Sequence, residues 1–297
     1  MGTRRSSARM VALAVLGLGL VLAPAVFGMF QRAPLGAEMI RDFKPFMTEE
    51  RLAGFQGHLA GIDAAVQEID PLVEARPGID SPAYATFSGD WPEIHTTMTS
   101  LMDDVAANRE GYEAVASLPD FRLFPWFFVV PGVVILLLAG YGVVRGLDAR
   151  WIRWPIAALG IALVVLPFAV GMFDKAPRGA AMMGAFETIE TTQNVARIQG
   201  YFATMAAGQG AIRLDIAPAL TKAGVPHPAA DELDAEWIRI LNDMTPMIGA
   251  MSDSVDNYQA VASLPSFRLF PWFFLAPGAL LVLIALAPRR NPRKAQP

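Results

Sequence analysis

Histidines, acids and methionines are the side chains of this chain best suited to chemistry, and their spacing decides what each can do. His58, His95 and His227 stand far apart, without the HExxH spacing of a zinc site. Asp63, Glu68, Asp70, Glu74 and Asp80 gather around one Pro-rich stretch, and Asp231, Glu232, Asp234 and Glu236 around another. A calcium loop needs a glycine and carboxylates at alternating positions. Neither cluster has that pattern, so both read as solvated helix ends. There is no cysteine, which excludes disulfides, thiolate metal sites, a lipoprotein anchor and a thiol nucleophile. No GxSxG or phosphate-binding loop occurs, and no nucleophile–base pair can be assembled. The sequence therefore predicts no enzyme, no catalytic residue, no metal and no cofactor.

Methionine remains. Ten of the fourteen lie in two long polar segments, among them Met98, Met102, Met244, Met247 and Met251. Soft thioethers bind Cu(I), but they also fill irregular cores and build adaptable apolar grooves. Their helical spacing favours core packing first. A groove for a lipid or another apolar ligand comes second, and copper third.

Two further features are paired along the chain. The motif FRLFPWFF begins at Phe121 and again at Phe267, within a 21-residue stretch (Tyr112 to Gly132, Tyr258 to Gly278) identical at 17 positions. GMFQRAPLGA from Gly28 likewise matches GMFDKAPRGA from Gly171. Trp favours the headgroup layer, and Arg can extend to phosphate while its stem stays apolar. Arg122, Trp126, Arg268 and Trp272 are thus expected to be interface anchors, with a twofold lipid-headgroup site or partner collar as the sharper reading. Gln56-Gly57 and Gln199-Gly200 are the other matched polar pair. Glycine inside a helix costs about 1 kcal/mol against alanine, so close backbone approach is expected there, with Gln56 and Gln199 paired between the copies or, as the second reading, lining a cavity.

The elements that position these residues follow from hydropathy. Apolar residues form 54% of the chain and charged residues 18%, and the apolar excess lies in four runs: 10–30, 124–144, 154–173 and 270–287. None contains a charged residue or histidine, and each approaches the roughly 20 residues that cross about 30 Å of hydrocarbon. The flanks 1–9, 145–153 and 288–297 carry ten basic residues against one acid, whereas 31–123 has 7 basic and 16 acidic residues and 174–269 has 7 and 11. Short basic segments stay in the cytoplasm, so both termini are expected inside and both long loops outside. Residues 1–27 also resemble a secretory signal, but the second copy carries the same helix in mid-chain, with Pro167 at the position of Pro24. An uncleaved anchor is expected. Arginine outnumbers lysine twenty to four, which suits a high-GC bacterial genome.

The predicted fold is all-α: a polytopic membrane protein with four transmembrane helices from a tandem duplication, continuing into an extracytoplasmic four-helix bundle. The first repeat, 1–150, comprises a span at 10–30, an outer hairpin over 31–123 and a span at 124–144. The second, 151–297, has a span at 154–173, a hairpin over 174–269, a span at 270–287 and a basic tail at 288–297. A helix with one apolar face over 39–69 should give way to a turn marked by Pro71, Pro77, Gly78, Pro82, Gly89 and Pro92. Pro218, Gly224, Pro226 and Pro228 mark the second turn, and Pro246 should bend or delay the last outer helix. Ala14 with Gly17, and Ala157 with Gly160, should bring spans one and three together.

Spans free of charge disfavour an ion-coupled transporter or channel, and the cytoplasmic segments are too short for a signalling output domain. The expected function is a non-catalytic protein of the bacterial cytoplasmic membrane whose outer bundle docks partner proteins in a cell-envelope complex. The alternative is a protein that binds and presents a lipid or other apolar ligand. Membrane lipids and an envelope protein are the expected partners, and nucleic acid is not.

Overall fold

A computed structural model describes residues 2–79, 81–145 and 150–287. Asp80, Asp148 and the basic tail 288–297 lie outside the described residues, as do the side chains of Arg4, Arg5, Arg145 and Arg150. Every regular element among the described residues is helical. The first half holds α1 (Gly2–Val26), α2 (Met29–Phe43), α3 (Glu49–Glu74), α4 (Pro82–Ala107), α5 (Arg109–Ala116) and α6 (Phe124–Arg145). The second holds α7 (Arg150–Ala169), α8 (Met172–Phe186), α9 (Thr192–Ala211), α10 (Ala217–Lys222), α11 (Pro228–Ala262) and α12 (Phe270–Leu286).

Two compact units result. The span unit comprises Met1–Glu38, Glu113–Ala181 and Gln259–Pro297, and the loop unit Met39–Tyr112 and Met182–Tyr258. Both units draw on both sequence copies.

In the span unit, Arg9–Val26, Phe121–Val144, Ile152–Ala169 and Phe267–Leu286 are long and apolar enough to cross a membrane, with mean hydropathies of 1.9 to 2.5. The first and third stop at glycines. Gly28 (φ 63°) and Gly171 (φ 68°) adopt the left-handed backbone that side-chain-bearing residues avoid. Helix α1 packs chiefly on α6, and α7 on α12. A β-carbon on Gly132 would lie 2.8 Å from the Gly17 carbonyl oxygen, and one on Gly278 would lie 2.8 Å from that of Gly160. Small residues thus let backbones touch, but within each span pair. The expected meeting of spans one and three gives way to this arrangement, because Gly17 and Gly160 each face a glycine of the next span.

Spans two and four meet through aromatic rings. Phe121 and Phe267 lie 5.6 Å apart, Phe124 and Phe270 5.4 Å, and Phe128 and Phe274 4.6 Å. Each phenylalanine faces its own counterpart in the other copy, which happens only on a twofold or pseudo-twofold axis.

The loop unit has one core, to which α3, α4, α9 and α11 contribute Phe55, Ile62, Ile69, Phe87, Ile94, Met98, Met205, Ile240 and Met244. The helix expected over 39–69 is interrupted at 44–48. Thr48 caps α3 by accepting from the Arg51 amide at 3.3 Å, and Thr191 caps α9 by accepting from that of Asn194 at 3.2 Å. Pro71, Pro92 and Pro246, expected to break or bend helices, lie inside α3, α4 and α11. Each forfeits one backbone bond, and burial of the apolar faces holds the helices together. After α9 the chain widens into a π segment, Ile212–Ile216, where the Pro218 ring crowds the carbonyl four residues earlier.

Candidate functional site

The sequence singles out the span ends. Arg122, Trp126, Arg268 and Trp272 are all exposed, and their backbones are set by matching 3-10 turns, Phe121–Leu123 and Phe267–Leu269. Trp126 packs edge-on to Phe30 at 5.8 Å, and Trp272 likewise to Phe173 at 6.1 Å.

An apolar groove of about 340 Å³ runs between spans one and four. Gly19 and Ala23 of α1 face Ala276 and Pro277 of α12, and Phe27, Phe273 and Trp272 close one end. Nothing lies within 4 Å of where a Gly19 β-carbon would stand, so the groove is open at that point. Aligning the copies by the offsets of their matched motifs places Ala162 opposite Gly19, Leu166 opposite Ala23 and Val130 opposite Ala276. At these three positions the groove has the smaller side chain, whereas Val15 and Phe27, which also line it, stand where the other copy has Ala158 and Val170. Arg32 donates to the Phe27 carbonyl oxygen at 3.0 Å, holding a guanidinium at the end of the groove where Phe27 stands.

The methionines behave differently from a groove. Met98, Met102, Met244, Met247 and Met251 are all buried and belong to the loop-unit core. Of these five, considered for an apolar groove, Met102, Met247 and Met251 line a small cavity of about 20 Å³, and the helical spacing turns all five inward. Gln56 and Gln199 do not pair. Gln56 donates to Asp103 at 3.3 Å, and both glutamines stand on exposed positions. Gly57 and Gly200 meet nothing within 4 Å, so no close backbone approach occurs there.

The acids expected as solvated helix ends are largely engaged. Asp63 accepts from Trp91 Nε1 at 2.9 Å, Asp70 from the Tyr84 hydroxyl at 2.7 Å, Glu68 from the Ala230 amide at 3.0 Å and Asp234 from Gln209 at 2.8 Å. Burial and the Asp70 contact push the Tyr84 hydroxyl far above its usual range.

Two constellations lie beyond the reach of spacing rules. Buried His58 places Nε2 3.0 Å from Asp243, whose other oxygen accepts from Arg51 at 2.5 Å. The His58 hydrogen bond, then Arg51, holds the Asp243 carboxyl below its ordinary range. The second is Glu190, only 3% exposed, whose Oε2 has no hydrogen-bond partner. It lines two small cavities of about 40 and 20 Å³ with methionine and phenylalanine side chains. Burial raises its carboxyl to about 7. The Tyr112 and Tyr258 hydroxyls beside the first cavity donate to the Ile40 and Met183 carbonyls, and burial lifts Tyr112 to about 12.

No group of three or more His, Cys, Asp or Glu side chains among the described residues is placed to hold a metal ion. The chain matches no protein-family model, no curated protein and no solved structure.

Proposed function

We propose that this is a non-catalytic integral membrane protein that binds one phospholipid between its first and fourth spans and presents it to a partner. The observation that carries this reading is the apolar groove itself. Gly19, Ala23 and Ala276 open it, and the equivalent positions of the other copy carry Ala162, Leu166 and Val130. Apolar pockets for small molecules run from about 300 to 1,000 Å³, so a groove of about 340 Å³ suits one acyl chain rather than a whole lipid. Arg32, at the Phe27 end, supplies the cation that a phosphate seeks, and Trp272 suits the headgroup layer.

In this reading the two copies arose by tandem duplication, and residues 1–150 and 151–297 are its products. The charge asymmetry of the flanks supports cytoplasmic termini and extracytoplasmic loops in a bacterial inner membrane. The loop unit is then an extracytoplasmic four-helix bundle. Docking of envelope proteins as the primary role has less support. Among the loop unit's described residues, the large hydrophobic side chains standing exposed are Leu214 and Ile238, too few for an apolar strip.

Native mass spectrometry after gentle detergent extraction tests the reading. The wild type should retain one phospholipid-sized adduct, and Ala23→Leu combined with Ala276→Val should lose it. No adduct, or one that survives filling of the groove, would refute lipid binding at this place.

A further inference from the structure

Independently of the lipid reading, we infer that Glu190 and the methionines around it form a site for one soft monovalent cation of the Cu(I) class. The argument begins with an unbalanced group. Glu190 is 3% exposed and its Oε2 has no partner. A lone carboxylate cannot stay charged in such surroundings, so it must hold a proton or face a cation. Neither cavity it lines includes a basic side chain. The described residues lining these cavities therefore supply no counter-ion.

The donors around Glu190 decide which cation fits. Met39, Met47, Met182 and Met183 line the first cavity, and Met47, Met102, Met247 and Met251 the second. Calcium takes six to eight oxygens and magnesium a near-octahedral oxygen shell, and one carboxylate with two phenols falls short of both. Thioethers select Cu(I). A cavity of about 40 Å³ admits a small ion with at most a few waters. One anionic oxygen among neutral sulfurs also matches a single positive charge. The copies differ here in a telling way: aligned by the offset of their first motifs, Glu190 stands where the first copy has Met47. Each residue immediately precedes a capping threonine, so the backbone presents both at the same point of the fold. One copy thus contributes sulfur and the other charge.

Binding is an exchange. The neutral carboxylic acid releases one proton as one cation enters, and the site stays neutral without any redox step. The titratable groups around the cavities are the Tyr112 and Tyr258 phenols, with Glu187 acting on Tyr258. The phenol protons point to backbone carbonyls, leaving Glu190 as the group that exchanges its proton.

The test uses the purified full chain in detergent with Ag⁺, a redox-inert stand-in for Cu(I). Metal retention is read by native mass spectrometry and proton release by an indicator dye in weak buffer. The expected result at pH 6 is one retained Ag⁺ and close to one proton released per chain. Glu190→Gln should abolish the release and weaken retention at least tenfold. Met47→Leu, which leaves the carboxyl in place, should weaken retention while preserving the fold as read by far-UV circular dichroism and thermal midpoint. Absence of retained Ag⁺, or retention equal in the wild type and both variants, would overturn the site.

Discussion

Glu190 occupies the position that Met47 holds in the other copy, and the exchange of sulfur for carboxyl leaves a measurable mark. Burial raises its folded-state value from an ordinary 4.5 to about 7. A group raised on folding contributes stability that is complete below its unfolded value and is lost as pH climbs through the folded one. The loop unit should therefore lose about 3 kcal/mol between pH 4.5 and 7.5. Metal-free denaturant unfolding followed by tryptophan fluorescence and far-UV circular dichroism reads this loss, and Glu190→Gln should flatten the profile over that window. Asp243 predicts a different effect. Asp243→Ala leaves buried His58 and Arg51 without their acceptor, and the same unfolding measurement should show a loss of about 1–3 kcal/mol. Neither residue stands out in the sequence. His58 and Asp243 are 185 positions apart, so no motif could join them. Glu190 sits in a polar stretch where an acid is unremarkable. Its one signal was the mismatch with Met47, visible only by aligning the two copies and asking which differences fall on apolar positions.

At the scale of elements, runs without charge were the clearest text in the chain. Four helices long and apolar enough to cross a membrane overlap the four charge-free runs, although the first and third end at Val26 and Ala169, short of residues 30 and 173. The partners of those spans were harder to read. Ala14 and Gly17 mark a small face but not what it meets, and the contact depends on Gly132, which looks like one more residue in an apolar run. Gly132→Leu should drive a side chain into the Gly17 carbonyl and the Val21 and Leu20 side chains, separating α1 from α6. A thermal midpoint lowered by several degrees in detergent is the expected result. Gly57→Ala is the matching control. Its position is open and lies inside α3, so removing backbone freedom should stabilise by about 0.5–1 kcal/mol in denaturant unfolding. The break at 44–48 escaped periodicity because Phe46 and Met47 keep apolar residues coming at helical intervals. Thr48, followed by Glu49 and Glu50, was the available sign of a helix start. Prolines misled in the opposite sense: Pro71 and Pro92 read as breaks, yet buried faces carry α3 and α4 through them.

The whole molecule combines near-repetition with a few deliberate-looking departures from it. Contacts that keep the copies equivalent recur in pairs: Gly17 on Gly132 and Gly160 on Gly278, Tyr112 on Ile40 and Tyr258 on Met183. Two of the departures, in the groove between spans one and four and at Glu190, are where the proposed sites fall. That division was partly legible beforehand, since the repeat itself is plain in the sequence. Which of its many small differences matter depends on where the side chains point, and that only the fold reveals. The most direct measurement counts retained phospholipids by native mass spectrometry in three proteins. The wild type should hold one. Ala23→Leu with Ala276→Val should hold none. Ala162→Gly, Leu166→Ala and Val130→Ala together, which open the mirror position between spans two and three, should hold two. The same count in all three would contradict lipid binding by the groove.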